Sequence, residues 1–186
     1  MVIQKICLDP GHGGTDPGAV GPTGLMESDA ALQIAKYILR GLLDSGHEVI
    51  CTRSNDKFVS LVGRCQVANS NLVDLLLSIH CNAFSNPTAH GYEVWTSRGQ
   101  TAADPIAERL FDSIGEAFPR LAPRFDKTDG DNDKEAGFVV LNQSTMAAVL
   151  VEIAFISNPI EEVWLRDVGW KMRMAGAIVS GVNRRN

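Results

Sequence analysis

The chain has 186 residues, 45% of them hydrophobic, which is enough for one sizeable core but too few for two full domains. We therefore expect one domain spanning residues 1–186. The net charge of -5 and the absence of a basic block argue against nucleic-acid binding, because phosphate binding requires clustered lysine and arginine. Apolar runs such as residues 147–155, which contain Glu152, are too short to cross a bilayer, so we expect no membrane insertion.

A glycine-rich turn follows the first apolar segment. Residues 2–8 are predicted to form a short buried strand that stops at Pro10 and Gly11. His12 stands between glycines, which permit positive φ angles and close approach of the backbone. Such a turn could present the imidazole to a metal, cradle a phosphate, or simply connect a strand to the next element. Residues elsewhere in the chain must decide between these functions.

The first clear helix follows this turn. Apolar residues recur at three- and four-residue spacing over residues 31–43, with Ser28 or Asp29 as the expected N-cap and Gly46 beyond the end. Glu27 is predicted to lie just before the helix. Its ordinary role there would be to complement the positive end of the helix dipole.

Further predicted strands and helices alternate along the rest of the chain, which indicates an α/β layered fold. We expect one central, twisted, mostly parallel or mixed sheet of about six strands with helices on both faces. The further predicted strands cover residues 48–52, 73–79, 91–96, 138–141 and 148–153. The further helices cover residues 61–72 and 102–118, a segment with Asn158 as N-cap, and residues 168–182.

One segment differs in composition from the rest. Residues 120–136 combine proline and glycine with a run of acidic side chains, which predicts an exposed, mobile loop with a solvated face. A calcium loop is the alternative, although the EF-hand pattern is absent. The acidic residues are Asp126, Asp129, Asp131, Asp133 and Glu135.

Four side chains form a candidate catalytic constellation. His12 follows one predicted buried strand and His80 ends another. The carboxyl ends of parallel strands lie along one edge of the sheet, where ligands bind. Glu152 interrupts an apolar strand, and a buried carboxylate must be paired, metal-bound or protonated. Two imidazoles and the carboxylate of Glu27 would match a catalytic zinc site, beside which a further carboxylate can move protons. Scattered residues without an H-E-x-x-H motif leave this function open, and manganese or cobalt could occupy the same ligands.

Several short motifs occur in an order that is found in a known family. They are LDPGHGG (8–14), GLME (24–27), TR (52–53), Arg64, SIHCNA (78–83), GYEV (91–94) and VEIAFISN (151–158). In this order the chain resembles the zinc-dependent N-acetylmuramoyl-L-alanine amidases of the Amidase_3 family. The resemblance extends from about Lys5 to Leu165.

The resemblance implies a function and a role for each candidate residue. His12, Glu27 and His80 would hold one zinc ion, and Glu152 would be the catalytic acid and base. The family cleaves the amide bond between the lactyl group of N-acetylmuramic acid and L-alanine of the peptidoglycan stem peptide. A zinc-activated water would attack that amide while Glu152 takes its proton and returns it to the departing nitrogen.

The expected partner is therefore bacterial peptidoglycan, and we expect a monomer. No signal-peptide pattern and no wall-binding module are evident in the sequence. This favours the catalytic domain of a phage endolysin, which would accumulate in the host cytoplasm before reaching the wall, with a C-terminal wall-binding domain missing. A bacterial autolysin domain acting outside the cell is the other origin. The competing functions are another zinc amidohydrolase or peptidase acting on a stem-peptide bond, and a non-catalytic cell-wall-binding module.

Overall fold

The computed structural model describes residues 3–127 and 130–184. Its centre is a mixed sheet of six strands in the order β2-β1-β3-β6-β4-β5. The four strands β2, β1, β3 and β6 are parallel neighbours, whereas β4 runs antiparallel to β6 and β5 pairs parallel with β4. The strands are β1 (Lys5–Pro10), β2 (Glu48–Cys51), β3 (Leu75–Asn82), β4 (Glu93–Thr96), β5 (Lys134–Glu135) and β6 (Ala147–Phe155).

Helices cover both faces of this sheet, as expected for an α/β fold. On one face α1, α3 and α6 pack together, and on the other face α2 packs against the short α4. The bounds are α1 (Glu27–Asp44), α2 (Leu61–Ser70), α3 (Asp104–Ala117), α4 (Val139–Asn142), α5 (Pro159–Arg166) and α6 (Val168–Asn183). Among the described residues no helix combines the length and apolarity that crossing a membrane requires.

The central strands are buried on both faces, so their sequences are almost continuously apolar. In β3, Leu75 and Leu77 lie in the larger core beneath α1, whereas Leu76 lies in the smaller core beneath α2 and α4. By the same alternation, His80 lies on the α2 and α4 face and Cys81 in the larger core. The side chain that can carry chemistry therefore projects on the less thickly covered side of the sheet.

One predicted strand is wrong. Residues 138–141 lie in or beside the short helix α4, where Val140 and Leu141 fill the smaller core and Phe138 is 40% exposed. A four-residue apolar run fits a buried helical turn as well as a strand, so periodicity could not separate the two. The sixth strand is instead β5, inside the segment that was expected to be a loop.

The predicted N-cap of α1 is also wrong, because Ser28 and Asp29 lie inside the helix. Met26 occupies the cap position and makes no side-chain cap hydrogen bond. Backbone carbonyls of the preceding loop replace the cap: Glu27 N donates to Ala19 O at 2.9 Å, and Ser28 N donates to Pro17 O at 3.0 Å. The loop after the glycine turn is thereby fastened to the start of α1, and Glu27 is the first helical residue.

The acidic segment is only partly exposed. Asp133 is 2% exposed and accepts a hydrogen bond from Thr96 Oγ1 at 2.5 Å, while Asp129 lies outside the described residues. Carboxylate oxygens of Glu108, Asp131 and Asp133 lie within 4.8 Å of one another. Burial, together with the charges of Asp131 and Asp104, raises the pKa of Asp133 to about 7. The prediction of a wholly solvated acidic face is therefore wrong at Asp133.

This raised pKa gives a pH-dependent stability. Between the ordinary aspartate pKa and about 7, the folded state holds a proton at Asp133 that the unfolded chain has released, so the free energy of unfolding falls as pH rises. We expect Asp133→Asn, which stays neutral, to gain at least ~1 kcal/mol relative to the parent between pH 5 and pH 8. Urea unfolding of both proteins across that range measures the difference. A difference that does not change with pH would contradict the prediction.

Candidate metal centre

The turn after β1 places His12 at the carboxyl edge of the sheet. His12 has a φ of 59°, a left-handed conformation that is uncommon for a residue with a side chain. Gly11 N donates to Ile79 O at 2.9 Å, which holds the turn against β3. A Cβ on Gly11 would lie 2.3 Å from the ring of His80, so only glycine allows the two segments to approach so closely.

Three of the predicted site residues converge on one point. Glu27 Oε1 lies 3.1 Å from His12 Nε2 and 2.9 Å from His80 Nδ1, and the two imidazole rings are 5.0 Å apart. All three ligand atoms lie within 4.8 Å of one another. Two imidazole nitrogens and one carboxylate oxygen are a donor set that suits catalytic zinc. The structure therefore brings together the candidate metal site that the sequence indicated.

Contacts around the cluster fix the orientation of each group. Asp16 Oδ2 lies 2.8 Å from His12 Nδ1, which turns the other ring nitrogen toward Glu27. Glu27 accepts hydrogen bonds from Ala19 N at 2.9 Å and Cys81 N at 3.1 Å. Asp16 was not among the predicted site residues, although it stands only four residues after His12 in the sequence.

The electrostatics of the cluster favour a cation. Burial alone would raise the pKa of Glu27, but hydrogen bonds and charges of His12 and His80 hold that pKa well below its usual range. Burial alone would lower the pKa of His12, but Glu27 and Asp16 raise it overall. Glu27 is therefore ionised at every ordinary pH, and a metal ion must displace a proton from His12 as pH falls.

Removal of Asp16 should lower the affinity for metal to a greater extent than it lowers the free energy of unfolding. We expect Asp16→Ala to lower zinc affinity by about 10–100-fold, because the partner that holds the His12 ring would be lost. Competition with a chromophoric chelator measures the affinity. Asp44→Ala, which removes an exposed carboxylate far along α1, serves as the control and should leave the affinity unchanged. Equal affinities for Asp16→Ala and the parent would contradict the orienting role.

Glu152 lies beside this cluster on the neighbouring strand. It pairs with His80 across β3 and β6, so the two side chains project from the same face of the sheet. Its Oε2 atom is buried and has no hydrogen-bond partner among the described residues. Burial, with the charges of Glu27 and Glu93, raises the pKa of Glu152 well above its usual value.

Glu93 lies on the next strand, directly opposite Glu152 in the antiparallel register. It is 2% exposed, and its Oε1 contacts Arg124 Nε at 2.7 Å and Lys134 Nζ at 3.0 Å. The carboxylate is thus buried beside Glu152 and paired with two cations.

Two buried arginines hold the turn that carries His12 by hydrogen bonds to its backbone carbonyls. Arg53 donates to the carbonyls of Pro10, Gly11 and Ser28 at 2.7–2.9 Å. Arg64 donates to the carbonyls of Pro10 and His12, each at 2.7 Å, and pairs with Asp9 at 2.7 Å. Both arginines belong to the motifs that were recognised, but their spacing gave no hint of this function.

These observations describe an α/β protein with a candidate metal centre at the carboxyl edge of its sheet. The chain belongs to the Amidase_3 family, described as N-acetylmuramoyl-L-alanine amidase, which matches residues 6–184. The family expected from the ordered motifs is therefore confirmed, and with it the class of enzyme.

Individual relatives agree with this assignment. The chain is 33% identical over 216 residues to the N-acetylmuramoyl-L-alanine amidase AmiA of Escherichia coli, covering 96% of this chain and 75% of AmiA. It is 39% identical over 181 residues to the amidase LytC of Bacillus subtilis, covering 97% of this chain and 35% of LytC. The solved structure of the amidase AmiC2 of Nostoc punctiforme superposes with a TM-score of 0.87 at 30% identity, covering 96% of this chain and 94% of that chain.

Proposed function

We propose that this chain hydrolyses the amide bond between the lactyl group of N-acetylmuramic acid and L-alanine of the peptidoglycan stem peptide. One zinc ion would be held by His12, Glu27 and His80, and Glu152 would be the catalytic acid and base. The observation that carries the proposal is the convergence of three ligand atoms beside a buried carboxylate with an unpartnered oxygen. The family and its named relatives support the bond that is cleaved.

The fit of the donor set to zinc rests on its chemistry. When bound, zinc would supply a Lewis acid for the substrate carbonyl and would lower the pKa of a water molecule. Glu27 contributes the negative charge, and the two imidazoles contribute neutral donors once His12 has lost its proton. Asp16 keeps the His12 ring in the orientation that presents Nε2.

Glu152 transfers the protons in this mechanism. It takes a proton from the attacking water and donates a proton to the L-alanine nitrogen as that amine departs. Its raised pKa makes the carboxylate a stronger base, and so a better acceptor of the water proton, than an ordinary surface glutamate. No serine or cysteine nucleophile is required.

Product analysis on purified peptidoglycan tests the proposal. The expected result is loss of turbidity with release of free L-alanine amino termini, abolished by chelation and restored by zinc. Amino termini of another stem residue, with the muramoyl-alanine bond intact, would instead indicate a peptidase. Zinc binding and wall binding without any new amino terminus would indicate a non-catalytic wall-binding module.

Other expectations from the sequence stay predictions. They are the monomeric state, the single catalytic domain over residues 1–186, a missing C-terminal wall-binding domain and an origin in a phage endolysin. Sedimentation of the purified chain measures the first of them directly.

A further inference from the structure

The candidate site is flanked by two surfaces of opposite character. On the His12 side, a cavity of about 340 Å³ has a mainly apolar surface. On the Glu152 side, beyond β6, lie the two cations that contact Glu93. A substrate bound across the site must therefore place one end on an apolar surface and the other on a charged surface.

The apolar side is formed by the segment between β2 and α2, the start of α2, and α4. Several of its hydrophobic side chains are unusually exposed: Phe58 is 56%, Leu61 is 53% and Val62 is 48% exposed. Arg64 also lines this cavity, but its guanidinium is engaged by Asp9 and by backbone carbonyls. This side therefore suits methyl groups, such as those of the lactyl and acetamido substituents of a muramoyl residue.

The charged side consists of Arg124 and Lys134, which we call the cation pair. Both contact the single buried carboxylate of Glu93, so these three groups carry an excess of one positive charge. The guanidinium of Arg124 lies 5.1 Å from the centre of the Phe155 ring, and Lys134 Nζ lies 5.0 Å from the Trp95 ring. These aromatic contacts and Glu93 hold the cation pair in place.

Two acidic residues of the same edge, Asp133 and Glu135, face the other way. Lys134 pairs with Trp95, whose side chain packs against the smaller core on the metal-site face of the sheet. Glu135 pairs with Thr96, so its side chain projects from the opposite face, where Thr96 also contacts Asp133. Arg124 is 42% exposed and Lys134 21% exposed, so the metal-site face presents positive charge to solvent.

The spacing matches the chemistry of the substrate. The residue that follows L-alanine in a stem peptide is a γ-linked D-glutamate, whose α-carboxyl group is either free or amidated. That group lies about 6 Å from the cleaved bond. Glu93 lies one strand, about 5 Å, from Glu152, and both members of the cation pair contact the Glu93 carboxylate at 2.7–3.0 Å.

We propose that the cation pair is a subsite for the free α-carboxylate of the D-glutamate residue in the stem peptide. The inference rests on the proposed function. It fixes the orientation of the substrate, with the muramoyl residue over the Phe58 side and the stem peptide running across β6 and β4. Arg124 is the principal contact, because a guanidinium binds a carboxylate through two parallel hydrogen bonds.

Two matched substrates test this proposal. They are a disaccharide carrying L-alanine, D-glutamate, L-lysine and two D-alanines, and the same compound with the α-carboxyl of D-glutamate amidated. We expect the parent to cleave the free acid with a kcat/KM roughly tenfold above that of the amide. In Arg124→Gln this preference should fall to about twofold or less, through a higher KM for the free acid.

The controls separate binding from structure. Arg98→Gln removes an exposed arginine from the far end of β4 and should keep the preference of the parent. If Arg124→Gln acted only by displacing Glu93 or Glu152, cleavage of both substrates would fall equally. That result would overturn the proposal. Equal cleavage of the two substrates by the parent would also overturn it. If the parent released no L-alanine amino terminus from either substrate, the proposed function itself would be wrong.

Discussion

Glu152→Gln should abolish hydrolysis while leaving the fold and the proposed zinc site intact. We expect kcat to fall by about 10³-fold, because glutamine has the shape of glutamate but cannot exchange a proton. The same change should raise the melting temperature by a few degrees, because a neutral amide removes a buried carboxyl whose ionisation is costly. Loss of activity with a gain of stability is the signature of a residue kept for chemistry.

Activity on peptidoglycan, zinc content and thermal unfolding measure these three effects together. Glu161→Gln is the matched control, since Glu161 is also buried and burial also raises its pKa. Its two oxygens accept hydrogen bonds from Phe155 N and Gly91 N, so the amide would lose an acceptor and lower the melting temperature. Retention of more than a tenth of the activity by zinc-loaded Glu152→Gln would contradict the assigned role.

Arg64→Met should cause the largest loss of stability among single substitutions near the site. The side chains of Arg64 and Asp9 are 3% and 0% exposed, so the methionine would leave a buried aspartate without its cation. We expect the free energy of unfolding to fall by about 3–5 kcal/mol. Zinc affinity should fall as well, because the carbonyl of His12 would lose its donor.

Urea unfolding and chelator competition check both parts of this prediction. Arg40→Met breaks the exposed pair with Asp44 and should change the free energy of unfolding by less than ~0.5 kcal/mol. Equal free energies of unfolding for Arg64→Met and Arg40→Met would contradict the role of Arg64 in holding the His12 turn.

The convergence of His12, Glu27 and His80 could be predicted because of where these residues lie in the chain. His12 and His80 end parallel strands, and the topology of a parallel sheet brings such ends to one edge whatever the details of packing. Glu152 could be singled out because a carboxylate is rare in an apolar strand. These inferences depend on position along the chain and on residue type, which the sequence contains in full.

Other features depend on contacts that the sequence does not contain. The start of α1 is capped by carbonyls of the loop around Pro17 and Ala19, so side-chain capping rules pointed to the wrong residues. Asp133 is buried by tertiary packing even though its neighbours read as a solvated loop. Residues 138–141 satisfy both helix and strand patterns, and only the neighbouring core selects the helix.

The hydrogen bonds from Arg53 and Arg64 to the carbonyls of the His12 turn bear on the order in which the enzyme folds and binds metal. Protein donors hold the turn that carries His12, so we expect the chain to fold without bound metal. With zinc as the proposed metal, such an enzyme would be synthesised without it, remain folded and bind it afterwards, unlike small zinc domains that fold only with their metal. The supply of metal, rather than the supply of folded protein, would then govern when hydrolysis of peptidoglycan begins.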